Sequence, residues 1–298
     1  MPPMTGLKKG VPLPSLAAIH GAVLLFGFAG LFSRWLELPS PLIVLGRTFF
    51  AALILAGTLL AAPGRRRRQT KPSPKIALMM ALSGLVLAFH WLAFFESIKA
   101  SSVAVGLLSF ATFPVFVILL EPLVFGERLS AMNGLMALVA LLGIFLLFPG
   151  RQYGAGSWAG IGWGLASGFS FAVLALFNRH FSQLLPAMQI NFYQNLFACL
   201  VLLPFWLVKP VGLAGREIAL LLVLGVICTA MAHSLFIAGL RRVKARTASL
   251  ITLLEPVYGI GLAWMLLGER PGLRTVCGGL IILLVALAAT LDFDRSRR

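Results

Sequence analysis

The chain has 298 residues, of which 59% are hydrophobic and 11% charged, with a formal net charge of +16. A charged share that low, against about 25% in soluble domains, excludes an ordinary soluble enzyme. At about 20 apolar residues per bilayer crossing, ten spans would occupy roughly 200 residues and leave almost no soluble mass.

The first apolar run, 15–34, follows Lys8 and Lys9 as a secretory leader would, but it is long and no small-residue cleavage site precedes Arg34. It reads as a retained span. Further runs at 41–62, 76–97, 102–125, 130–149, 157–179, 187–208, 217–239, 246–268 and 272–291 complete ten. The largest polar gap, Pro63–Lys75, holds Arg65, Arg66, Arg67, Arg68, Lys71 and Lys75. A segment that basic belongs in the cytoplasm. With this anchor the inside set carries seventeen Lys and Arg, the outside set seven, and Arg47 alone lies within a span, so both termini are expected inside. Basic residues at the ends of apolar runs fit membrane topology and anionic lipid contact rather than nucleic-acid binding. Cys199, Cys228 and Cys277 sit in apolar segments without CxxC spacing and indicate neither disulfides nor a metal site.

Shifting the chain by 142 positions aligns Leu108 with Leu250, Pro114 with Pro256, Val115 with Val257, Ile118 with Ile260 and Leu120 with Leu262. It also aligns Gly126-Glu127-Arg128 with Gly268-Glu269-Arg270, while His90 pairs with His233 one residue out of phase. Each half then holds five spans. Because five is odd, the second half must enter the membrane in the opposite sense, the inverted-repeat plan of secondary transporters. The expected fold is an all-α integral membrane protein, ten transmembrane helices in two inverted five-helix repeats. Residues 1–14 form a cytoplasmic tail, 15–149 the first repeat, 150–291 the second, and 292–298 a second cytoplasmic tail.

Two five-helix halves, each ending its fourth helix in apolar-Gly-Glu-Arg, together with Leu253-Leu254-Glu255-Pro256-Val257 in the ninth, make this chain resemble the EamA family of the drug/metabolite transporter superfamily. The resemblance covers nearly the whole chain. It implies a ten-helix carrier of a bacterial inner membrane, in many members an exporter of amino acids or other small metabolites, with a central cavity between the repeats. Arg47, in Leu45-Gly46-Arg47-Thr48-Phe49, looks like the arginine common in the second helix of such proteins. The first half departs from the pattern with Phe113-Pro114 where the second has Glu255-Pro256.

Ionisable groups inside a bilayer are costly and mark functional sites by default. Glu255, nine residues from Arg246, lies about 14 Å deep in a core of roughly 30 Å. It is a proton acceptor, a partner for a cationic substrate, or a glutamate bonded to backbone freed by Pro256. His233 lies roughly 9 Å deep in the eighth helix, and His90 occupies the inverted equivalent nearer the outside. Together they could relay protons or gate the site, or simply pack. Arg47 requires a partner, either an anionic substrate group or helix carbonyls. Neutral polar candidates are Ser109 and Thr112 on the fourth helix, Ser249 and Thr252 on the ninth, and Asn191, Gln194 and Asn195 on the seventh. Phe94 shares a face with His90, and Trp163 with Ser167; for these pairs helix–helix contact is the alternative role. Glycines 156, 160, 164 and 168 leave a smooth strip on the sixth helix for a dimer contact or an internal one.

The leading reading is a carrier exporting small metabolites or drugs by alternating access, with protons as a coupling ion and lipids as surroundings. No P-loop is present, so no nucleotide or other cofactor is implied, and no metal. A membrane-embedded enzyme would need a catalytic cluster, for which His233 with Ser234 or Glu255 is the candidate. A passive channel or lipid-moving protein is the third class. Monomer and homodimer both remain open.

Overall fold

The computed structural model describes residues 13–61, 73–101, 103–126, 131–147, 156–208, 210–268 and 273–295. Among these, every regular element is helical: α1 (Leu13–Ala29), α2 (Phe32–Trp35), α3 (Ser40–Ala61), α4 (Pro74–Ala100), α5 (Val103–Phe110), α6 (Phe113–Phe125), α7 (Ala131–Leu147), α8 (Gly156–Ser182), α9 (Ala187–Val208), α10 (Gly215–Gly225), a π-helix π1 (Val226–Met231), α11 (Ala232–Leu240), α12 (Ala245–Thr252), α13 (Leu254–Leu267) and α14 (Leu273–Arg295). Each apolar run of the sequence falls on one helix or a consecutive set. Among the described residues, eight segments are long and apolar enough to cross a membrane; two others, Ala131–Leu146 and Val276–Ala288, are shorter. The molecule is a multi-pass, all-α membrane protein. The Arg65–Lys71 run, the Glu-Arg pairs at 127–128 and 269–270, and residues 1–12 and 296–298 of the two expected tails lie outside the described residues, while α1 already begins at Leu13 and α14 runs on to Arg295.

Local chemistry sets the helix ends. Ser73 caps α4 by accepting the Ile76 amide at 3.4 Å, and Pro74 follows at the first turn, where a missing N–H costs nothing. The fourth and ninth apolar runs each break in the middle, α5 ending at Phe110 and α12 at Thr252. Each end lies four residues before a proline, Pro114 and Pro256, which cannot donate to that residue's carbonyl. The second piece of each run closes on a glycine in the left-handed region, Gly126 at φ 66° and Gly268 at φ 72°. These two pairs of features share the 142-residue offset seen in the sequence.

Packing follows the same pairing. α1 packs against α11 and α13, while α8, its counterpart in the second half, packs against α4, α5 and α6; α3 lies along α9, and α7 along α14. Exchanging the two halves leaves these contacts unchanged. Close approach at two glycines fixes the register. A Cβ on Gly84 would lie 2.6 Å from Phe197 Cβ and 2.9 Å from the Gln194 oxygen, and one on Gly225 would lie 2.7 Å from Phe50 Cβ and 2.8 Å from the Arg47 oxygen. Arg47 therefore occupies in the first half the position Gln194 holds in the second. From those glycines to the histidines is six residues in α4 but eight in the second half. The wider turns of π1 fall within that longer stretch.

The glycine strip of the sixth run faces this chain's own helices. Ser97 Oγ donates to the Gly160 oxygen at 2.6 Å, Gly164 abuts the Ser109 side chain, and a Cβ on Gly168 would lie 3.0 Å from the Phe110 oxygen. Of the two roles open in the sequence, these glycines fill the internal one.

Candidate functional site

Where α1, α3, α4, α5, α8, α11 and α13 converge lies a cavity of about 30 Å³. Its walls carry Arg47, His90, His233 and Glu255 together with Phe26, Trp91, Phe94, Phe110 and Phe171. Four ionisable candidates from the sequence thus meet in one place, drawn from both halves.

Arg47 is 2% exposed. Its Nε donates to Thr229 Oγ1 at 3.0 Å, and Thr229 in turn donates to the Leu224 oxygen five residues back, a reach that π1 makes available. Above the guanidinium carbon, 3.9 Å away, sits the Trp91 ring, and the Phe95 ring lies 5.9 Å away. Held this way, the guanidinium has its Nε edge anchored and its carbon over the Trp91 ring, and Arg47 lines the cavity.

The histidines sit in matching cages. His90 lies 4.9 Å from Phe171 of α8, and His233 lies 4.9 Å from Phe26 of α1, its counterpart in the other half. Their hydrogen bonding differs. His90 Nδ1 is 3.0 Å from the Ser167 oxygen, and Ser167 Oγ lies 3.1 Å from the His90 oxygen. Assigning the Nδ1 proton to the first contact and the hydroxyl proton to the second satisfies both groups, leaving Nε2 as the acceptor. Among the described residues His233 Nδ1 is buried with no hydrogen-bond partner, and the rings of Phe26 and, at 5.1 Å, Trp91 lie against its own. Glu255, 5% exposed, stands at the start of α13, with Arg47 as the opposite charge on the cavity wall. Among the described residues it makes no ion pair.

Phe94 joins this wall; the other candidates do not. Trp163 is 41% exposed on the outer face of the bundle. Thr112 donates to the Ser109 oxygen at 2.7 Å, Ser249 to the Arg246 oxygen at 2.7 Å and Thr252 to the Ala248 oxygen at 2.9 Å, each within its own run. Ser109 is buried against Gly164. Gln194 donates to Ser83 at 3.2 Å and to Asn178 at 2.6 Å, and Asn191 to the Ala230 oxygen at 2.8 Å and Ser234 at 3.0 Å, with Asn195 bonded back onto Asn191 at 2.6 Å. Apart from the Asn195 bond, which stays within α9, these are helix-to-helix bonds. Ser234 lines a separate groove, so it does not face His233 across the cavity as a catalytic pair would.

Sequence reasoning missed Phe26, Phe110 and Phe171, which carry no mark distinguishing them from other apolar residues. Phe171 had one signal, lying one turn beyond Ser167 on a face already singled out. It also missed Glu121. This fully buried carboxylate on α6 is ion-paired with Arg179 of α8 at 2.5 Å and with Arg246 of α12 at 3.5 Å, and its Oε1 also accepts the Arg246 amide at 3.4 Å. An acidic residue inside an apolar run was the available signal.

The chain matches the sequence profile of the EamA-like transporter family over residues 13–148 and 158–291. It is 27% identical to the pseudopaline exporter CntI of Pseudomonas aeruginosa (strain UCBPP-PA14), covering 95% of this chain and 96% of that one. It is 26% identical to the uncharacterized transporter YxxF of Bacillus subtilis (strain 168), over 91% of this chain and 87% of the relative. A solved crystal structure superposes with a TM-score of 0.76 over 96% of this chain and 99% of that chain at 19% identity, a likeness of fold.

Proposed function

The chain belongs to the EamA-like transporter family, and from that premise we propose that it is a secondary carrier exporting a small zwitterionic or amphipathic metabolite, such as an amino acid derivative, by alternating access. In this reading its ten helices form two inverted repeats, 15–149 and 150–291, in a bacterial inner membrane, with both tails, 1–14 and 292–298, in the cytoplasm. The observation that carries the substrate class is the cavity wall, where a guanidinium and a carboxyl group from different halves face one space among aromatic rings. Arg47 suits a substrate carboxylate through its unanchored nitrogens, Glu255 suits an ammonium group, and the rings suit an apolar side chain.

A cavity of about 30 Å³ holds little more than a water molecule. Ligand sites span roughly 300–1,000 Å³, so substrate requires the aromatic walls to part. The breaks after Phe110 and Thr252 are suited to that motion, because the two pieces of each run already lack a hydrogen bond between them. Glu255 and the unpartnered His233 Nδ1 would hold and release a coupling proton as the walls move.

The test is counterflow in proteoliposomes, with amino acids and analogues in which the amine or carboxyl group is blocked. Saturable exchange of a zwitterion, lost on blocking either group, is the expected result. Exchange indifferent to both blocks overturns the substrate class, and flux without accelerated exchange replaces the carrier with a channel.

A further inference from the structure

A second, much larger hollow of about 890 Å³ lies outside the central cavity, between α3, the 183–186 turn, π1 and α11. Its walls are apolar, with Leu55, Met188, Ala230 and Leu235 at the back. Ile54, Leu184 and Met231 on its rim are each at least 40% exposed, and Ile54 and Met231 belong to membrane-crossing segments. Hydrocarbon therefore reaches this hollow from the side. One end differs from the rest. There Gln183 and Arg241 close the hollow, Gln183 donating to the Arg241 oxygen at 2.9 Å, and the Arg241 side chain is exposed at the end of α11.

A groove that is apolar along its length, open to lipid tails and basic at one end matches an amphipathic anion lying parallel to the helices. Among its lining residues none is acidic. A contrast within the molecule shows that the cation is not a general feature of grooves here: a hollow of about 450 Å³ between the start of α3 and the end of α9, lined by Pro41, Pro204 and Phe205, has no charged residue on its wall. The back wall also matters. π1 presents Val226, Ala230 and Met231 to the groove, while Thr229, in the same six residues, holds Arg47. An occupant would rest against the segment that positions the cavity guanidinium.

We propose that this groove binds an anionic phospholipid, with an acyl chain between α3 and α11 and the headgroup phosphate at Arg241. The proposal is independent of what the central cavity carries, and its test reads lipid rather than transport. The full chain, purified in detergent, is offered equal amounts of phosphatidylglycerol and phosphatidylcholine with the same acyl chains, and bound lipid is counted by native mass spectrometry. One cation against an anionic headgroup gives a preference of roughly five-fold for phosphatidylglycerol. Arg241→Gln brings the ratio near one, and Ala238→Trp, which fills the groove from α11, lowers both adducts. If the Ala238 variant does not fold, Thr58→Trp fills the groove from α3. Inorganic phosphate at millimolar concentration leaves the adducts in place. Equal binding of the two lipids by the unmodified protein, a preference that survives Arg241→Gln, adducts untouched by groove filling, or displacement by phosphate alone would each overturn the site.

Discussion

The fourth helical run of one half and its counterpart in the other each hold a buried carboxylate, and the two are treated in opposite ways. Glu121 is fully buried yet paired with arginines from two other helices, and it receives a backbone amide as well. Glu255 shares a cavity with Arg47 and pairs with nothing among the described residues. A charge surrounded by partners joins helices; a charge left facing a space has its binding capacity in reserve. Position does not separate the two, since both lie in apolar runs, so the neighbours decide.

The largest effect belongs to the paired group. Glu121→Ala leaves Arg179 and Arg246 without their carboxylate while removing the link between α6, α8 and α12, and breaking one side of a buried pair costs about 3–5 kcal/mol. The expected outcome is a large fall in Tm in detergent, with a smaller fall for Glu121→Gln, which keeps the shape and an acceptor. An unchanged Tm for the alanine variant would make Glu121 as dispensable to the fold as Glu255, and the contrast would collapse.

An intermediate effect is expected where the two kinds of group meet. Thr229→Val keeps the shape of π1 but removes the acceptor for Arg47 Nε, and a buried donor left unsatisfied costs about 1–3 kcal/mol. Because that bond orients the guanidinium over Trp91, the variant should also weaken substrate binding, read as a higher KM in counterflow with Vmax less affected. A loss of stability with an unchanged KM would assign Thr229 to the fold alone.

Glu255→Gln is nearly isosteric, and no partner is stranded by it, so the stability change stays below about 1 kcal/mol. Counterflow is expected to fall to background in a variant that is folded and inserted. A wild-type rate would remove Glu255 from the transport site.

How much of this was legible before the fold was known depends on the kind of residue. Arg47, His90, His233 and Glu255 announce themselves because an ionisable side chain in an apolar run is expensive, and the cavity brings all four together. The helix breaks follow from Pro114 and Pro256, and the pairing of the halves from the 142-residue offset. Phe26, Phe110 and Phe171 were hidden by abundance, since one phenylalanine among 23 carries no signal until a neighbour is placed against it. π1 left no trace in the sequence, because no residue type encodes a wider turn. The hydroxyl and amide candidates misled for a physical reason: within a membrane bundle a serine or asparagine is satisfied by the nearest carbonyl, so spacing on one face does not distinguish a binding group from a packing one.

Trp163 offers the smallest effect and the sharpest limit on the comparison. Its ring is on the lipid side of α8, two turns before the Phe171 that does reach the cavity, and it shares a face with Ser167 only along part of the helix. Trp163→Leu exchanges one apolar surface for another against lipid, for which a stability change within about 0.5 kcal/mol and an unchanged counterflow rate are expected. Rotation of α8 in the proposed opening would alter that result. The Gly160, Gly164 and Gly168 contacts hold α8 against α4 and α5, and if they slide as the walls part, Trp163 could turn inward. A selective loss of counterflow in Trp163→Leu, at unchanged Tm, would therefore show that exposure in this structure does not exclude a residue from the substrate path. It would also extend the site from the paired histidines along the sixth helical run.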